Sequence, residues 1–203
     1  TAEEPTDAEA MPTTLFTRCK GVGIDLEDQV SAGMINLVRV DPAELSPGEL
    51  AFQIRQAVER DHVKIVTIDS LNGYLNAMPD ERFLVLQMHE LLSYLNQLGV
   101  ITVIVLAQHG LVGTMRVPVD ISYLSDNVIQ LRYFEAEGML RRAISVVKMR
   151  SAAHETTIRE FQLRKGGLAV GPPLRAFRGI FSGTPTYEGG IQPLMSEREA
   201  EDA

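Results

Sequence analysis

Asp69 closes the run Val63-Lys64-Ile65-Val66-Thr67-Ile68 and is followed at once by Ser70. A β-branched, apolar stretch that stops at a carboxylate has the pattern of a buried parallel strand delivering one charge to the edge of a sheet. In open parallel sheets ligands bind beyond the carboxyl ends of the strands, and a carboxylate in that position can help hold Mg²⁺ against phosphate oxygens. Two further features belong at such an edge. Gln108, with His109 and Gly110, ends the apolar run 100–107, and Glu3-Glu4 would end a strand lying upstream of Thr1. Carboxylates and an amide at one edge could bind a metal and orient a water. The plainer account makes Asp69 and Glu4 helix caps, and spacing alone leaves both accounts open.

Lys148-Met149-Arg150 puts two cations on one side of an extended segment, because strand side chains alternate with period two. Such a pair is either a solvated strand edge that resists aggregation or a clamp for phosphate oxygens. Phosphate chemistry raises the question of the cradle. No G-x-x-x-x-G-K-[ST] occurs in the 203 residues, and none of the four lysines, Lys20, Lys64, Lys148 and Lys165, precedes Ser or Thr. Other catalytic patterns fail. The stretch His89-Glu90-Leu91-Leu92-Ser93 has Ser where H-E-x-x-H needs a second His. No G-x-S-x-G is present, and Cys19 has no activating neighbour in sequence, which suits an idle thiol.

The elements that must carry these residues can be read from periodicity. Pro5 with Thr6 or Asp7 starts a helix that Pro12 should break. A short helix over 25–33 ends at Gly33, and the alternation of 34–40 predicts a strand with one protected face. Ser46-Pro47-Gly48-Glu49 has the signature of a capped helix start; that helix runs to about Asp61, with Leu50, Ile54, Ala57 and Val58 on one face. The strand 63–69 follows, then a loop containing Asn72-Gly73 and Pro79. The longest helix, 80–98, carries Leu84, Met88, Leu91, Leu92 and Leu95 as its core stripe and stops at Gly99. Residues 100–107 read as a second fully buried strand. Strand–helix–strand–helix–strand implies a parallel βαβ architecture. Two strands around Glu135-Ala136-Glu137-Gly138 form a hairpin, and one further strand over 154–170 shows period two at Thr157, Arg159, Phe161 and Leu163. The Gly/Pro-rich and then charged tail from about Gly183 reads as mobile.

Composition bounds the function. A net charge of −8 argues against nonspecific nucleic-acid binding, which needs a basic surface. No apolar run is long enough to span a bilayer, the acidic N-terminus is no signal peptide, and a single cysteine fits a reducing, cytoplasmic setting.

Four stretches carry more than spacing: "EEP" at 3–5, "VKIVTIDSLNGYLNAMP" at 63–79, "GVITVIVLAQHGLVG" at 99–113 and "RYFEAEGMLRRAISVVKMRSAAHETTIREFQL" at 132–163. With "PLRAFRGIFSGTPTY" at 173–187, they make the chain, from residue 1 to about 190, resemble the RecA-type ATPase domain of the KaiC family, the circadian-clock ATPase and its bacterial relatives. The resemblance implies an α/β fold: a RecA-like, mostly parallel sheet flanked by helices, with antiparallel C-terminal strands and with the first strand and P-loop missing. It implies one domain over 1–190 and a mobile charged tail over 191–203.

It also implies roles for particular residues. Asp69 matches the Walker B carboxylate that steadies Mg²⁺ through its water shell. Glu3 and Glu4 match paired glutamates, one of which polarises the attacking water. Ser70 and Gln108 match residues that sense the γ-phosphate, and Lys148 and Arg150 match cations that reach the nucleotide of a neighbouring subunit. The implied cofactors are ATP and Mg²⁺, and the implied assembly is a homo-oligomeric ring with a regulatory protein partner, no membrane and no nucleic acid. The clock protein's phosphorylatable hydroxyl pair falls near Ser122-Tyr123, where Tyr123 departs from the pattern and leaves Ser122 as the candidate phosphosite. Truncation upstream of Thr1 accounts for the missing P-loop, and the chain alone is expected to bind ATP weakly or not at all. The rival expectation is a RecA-like scaffold that has lost nucleotide and acts through protomer contacts.

Overall fold

Ser46 opens the part of the chain that positions the strand ends. In the computed structural model, which describes residues 7–77, 81–107, 124–181 and 185–187, its hydroxyl accepts from the Glu49 amide at 3.2 Å while the Glu49 carboxylate accepts from the Ser46 amide at 2.9 Å. With Pro47 at the first helical position, this capping box satisfies donors that a helix start leaves unpaired. Helices α1 (Asp7–Gly21) and α2 (Leu26–Ser31) come before it, and the capped helix itself is α3 (Pro47–Arg60). Strand β1 (Ile65–Asp69), the short helix α4 (Asn72–Ala77), helix α5 (Glu81–Gln97) and strand β2 (Ile101–Val105) follow. Helix α5 ends in a Schellman arrangement: Gly99 takes φ 68°, its amide donates to the Asn96 carbonyl at 2.9 Å, and the Val100 amide donates to Leu95 at 2.9 Å. Leu95 and Val100 are both buried, so the cap also pins the start of β2 to the core.

Strands β1 and β2 pair in parallel, from Ile65 opposite Ile101 to Asp69 opposite Val105. One face is covered. Val66 and Ile104 pack against a core of Leu50, Ala51 and Val58 from α3 and Leu84, Met88, Leu91 and Leu95 from α5. The other face is open among the described residues, where Ile65 and Ile101 are each 61% exposed and Val103 and Val105 are exposed as well. The expectation of fully buried strands is therefore corrected: the apolar runs are there, but only one side has a partner.

The antiparallel strands β3 (Asn127–Ala136), β4 (Met139–Met149), β5 (Arg159–Arg164) and β6 (Gly167–Pro173) form a sheet in that order, and β7 (Phe177–Arg178) pairs with β8 (Thr186–Tyr187). The β3–β4 turn holds Glu137 at φ 54° and Gly138 at φ 72°, the two left-handed positions that a tight two-residue hairpin requires. Phe134, Ala136, Ala143, Leu174 and Ile180 make a separate small core. Within it Arg141 bridges Glu160 at 3.0 Å and Glu137 at 2.8 Å, and the Glu160 side chain is nearly fully buried.

The chain divides into two compact units, one of Arg39–Val128 with Lys148–Ala152, the other of Thr1–Val38, Ile129–Val147 and Ala153–Ala203. The tail over 191–203 lies outside the described residues.

Four local expectations are corrected. Helix α1 runs through Pro12, its sixth residue, at the cost of the backbone bond that position would donate. Residues 34–40 form no strand: alternation supplies a face, but a strand needs a ladder, and Met34 and Val38 are 75% and 62% exposed. Asn72-Gly73 starts α4 rather than a loop; a Cβ on Gly73 would sit 2.8 Å from Pro42 Cγ, so the glycine serves close approach. The single strand expected over 154–170 is two, split at Lys165-Gly166, and an irregularity between Arg159 and Phe161 interrupts period two so that Glu160 and Phe161 are both buried.

Candidate functional site

Asp69 occupies the C-terminal end of β1, opposite Val105 of β2, and is exposed. The Asp69–Ser70 peptide is cis. From Ser70 the chain turns back into the core: the Leu71 amide donates to the Val105 carbonyl at 3.1 Å, and the Leu71 side chain is fully buried. Asn72 then ties the two strand ends together. Its side-chain amide donates to the Ala107 carbonyl at 2.6 Å and accepts from the Ala107 amide at 2.7 Å. This doubly bonded contact holds Ala107, two residues past the end of β2 at Val105. Two residues on, the Tyr74 hydroxyl is buried without a hydrogen-bond partner among the described residues; burial first, then Glu49 and Asp41, raise its pKa, so it stays neutral as part of the core.

The cations Lys148 and Arg150 lie at the far end of β4 and the residues just after it. Both are held by one turn. Lys148 Nζ donates to the Ser125 carbonyl at 2.8 Å. The Arg150 amide donates to the Asp126 carbonyl at 2.9 Å, and its guanidinium pairs with Asp126 Oδ1 at 3.0 Å. The other carboxylate oxygen of Asp126 accepts from Asn96 Nδ2 at 3.2 Å, which links the turn to the last turn of α5. Arg150, Asp126, Asn96, Ser93 and His89 line an open cleft of about 300 Å³.

Of the residues singled out from sequence, Asp69, Ser70, Lys148 and Arg150 are described; Glu3, Glu4, Gln108 and Ser122 lie outside the described residues. Asp69 and the two cations are held by different neighbours, Asp69 by the β1–β2 ladder and the cations by Ser125 and Asp126. Sequence reasoning missed Asn72, Asn96 and Asp126. Asn72 had a weak signal, a polar amide directly after a strand end; Asn96 and Asp126 had none, since their partners are distant in sequence.

Among the described residues no group of three or more His, Cys, Asp or Glu could hold a metal ion. The exposed carboxylate of Asp69 at the end of β1 is a donor of the kind that can hold Mg²⁺ through its waters, since Mg²⁺ keeps several waters and takes only one or two carboxylates from protein. No helix among the described residues is long and apolar enough to cross a membrane.

A parallel strand pair ending in an Asp, helices on one of its faces and antiparallel C-terminal strands are consistent with a RecA-like ATPase domain. The comparisons agree. The profile of the family described as "ATPase: KaiC" matches residues 2–175, so the chain belongs to the KaiC family of ATPases. The Circadian clock protein KaiC3 of Synechocystis sp. is 27% identical over 176 residues, 85% of this chain and 34% of that protein. The Circadian clock oscillator protein KaiC of Picosynechococcus sp. is 26% identical over 165 residues, 81% of this chain and 32% of that protein. In Synechococcus elongatus the Circadian clock oscillator protein KaiC is 42% identical over a shorter span of 66 residues. The chain spans about a third of the length of these first two relatives.

Proposed function

We propose that this chain is the C-terminal portion of a Mg²⁺-dependent ATPase domain that binds and hydrolyses ATP at the interfaces of a homo-oligomeric ring, in a regulatory or signalling role in the cytoplasm. The observation that carries the reading is the half-covered β1–β2 pair. Parallel sheets are covered on both faces in ordinary proteins, yet Ile65, Ile101, Val103 and Val105 are exposed beside the strand end that bears Asp69. A two-stranded parallel pair with one bare aliphatic face suits a sheet completed by a further strand and helix. Those are the elements that would bring the phosphate-binding loop.

In this reading Asp69 would hold Mg²⁺ through water, a cation that would supply neutralisation of triphosphate charge. One of Glu3 and Glu4 polarises the attacking water. Gln108, with Ser70, orients toward the γ-phosphate. Lys148 and Arg150 of one protomer face the nucleotide held by the next, where fixed cations stabilise charge that grows during phosphoryl transfer. Ser122 is the candidate for modification by the same phosphoryl chemistry, and the assembled ring would serve a regulatory protein partner.

The test is an ATPase assay on the protein extended through the segment upstream of Thr1. Asp69→Ala and Glu4→Ala should each abolish turnover, and the present chain alone should bind ATP weakly or not at all. Unchanged turnover in both variants would refute the assignment. An upstream segment without a phosphate-binding loop would favour instead a nucleotide-free scaffold, a reading that the missing G-x-x-x-x-G-K-[ST] supports.

A further inference from the structure

We infer that Asp126 is a positioning residue for Arg150, with Asn96 as its brace. The inference rests on the proposal that Arg150 acts on a nucleotide in the neighbouring protomer, and it adds what sets the direction of that side chain. Three bonds converge on Asp126. Its carbonyl accepts from the Arg150 amide at 2.9 Å, Oδ1 pairs with the guanidinium at 3.0 Å, and Oδ2 accepts from Asn96 Nδ2 at 3.2 Å. The adjoining residue, Ser125, takes Lys148 Nζ on its carbonyl at 2.8 Å. Both cations of Lys148-Met149-Arg150 are thus held by consecutive residues of one turn, and α5 braces that turn through Asn96.

Magnitude separates a positioning role from a stabilising one. The Arg150 and Asp126 side chains are 58% and 42% exposed, and an ion pair this wet contributes roughly 0–1 kcal/mol to folding. The backbone bond from Arg150 to the Asp126 carbonyl holds the strand end whatever side chain stands at 126. What the carboxylate adds is direction. It fixes one edge of a planar guanidinium, at a residue that lines the open cleft together with His89 and Ser93.

A double-mutant cycle in the ring-forming protein tests this. Asp126→Ala should lower kcat about tenfold with little change in KM for ATP, as expected when a reacting-centre contact is misdirected; Asp126→Asn, which keeps one acceptor oxygen, should lower it less. Thermal melts of both should match the wild type. In an Arg150→Ala background, Asp126→Ala should cost clearly less than it does alone, because the larger part of its effect runs through that side chain. An equal loss in both backgrounds, or no loss when Arg150→Ala alone slows turnover, overturns the inference. If Arg150→Ala itself leaves turnover unchanged, the proposed trans role fails, and the inference falls with it.

Discussion

The place of Asp69 at a strand end was legible from the sequence, because a β-branched run stops at a carboxylate there, and β1 ends on it. Lys148 and Arg150 were legible as a pair because period two puts them on one side, and the structure joins both to the turn at 125–126. Asn72 and Asp126 were not, since each works through a partner far along the chain: Asn72 reaches Ala107 across 35 residues and Asp126 meets Asn96 across 30. Single-sequence patterns carry local periodicity, not such pairings. Asn72→Ala removes two hydrogen bonds and strips Ala107 of both its partners. It should lower stability by about 1–2 kcal/mol, read as a shift in the urea midpoint, and Asn72→Asp, which sets a carboxylate oxygen against the Ala107 carbonyl, should cost at least as much.

At the scale of elements, the caps were the most readable features. Ser46-Pro47-Gly48-Glu49 and Gly99 bound α3 and α5 as their residue types require. Strand existence was less readable where it depends on a neighbour: 34–40 has the alternation of a strand and no ladder, while 154–170 has the alternation of one strand and folds as two. The α3 cap has a pH signature. Hydrogen bonds from the Ser46 hydroxyl and amide lower the Glu49 pKa below its ordinary value of 4.5. A carboxylate depressed in the folded state contributes stability that is fully present above 4.5 and is lost as pH falls through the folded value. Stability followed by urea denaturation from neutral to acid pH should therefore fall less steeply in Glu49→Gln than in the wild type. Parallel acid limbs in the two proteins would mean the cap charge contributes nothing.

For the whole molecule, the informative feature is incompleteness of cover. Apolar runs at 63–69 and 100–107 announce strands that want both faces protected, and α3 and α5 protect one. The sequence could reveal the appetite of those strands for cover but not which segment supplies it. The same holds for the site, whose acidic and cationic parts come from separate stretches and, in our account, from separate protomers. That division of labour is the central claim, and mixing protomers tests it most directly. Rings assembled from equal amounts of Glu4→Gln, which spoils a protomer's own site, and Arg150→Ala, which spoils its neighbour's, should recover about a quarter of wild-type ATP hydrolysis, the share of head-to-tail interfaces in which an intact glutamate meets an intact arginine. Turnover that stays at the level of the two parent variants at every mixing ratio would contradict it.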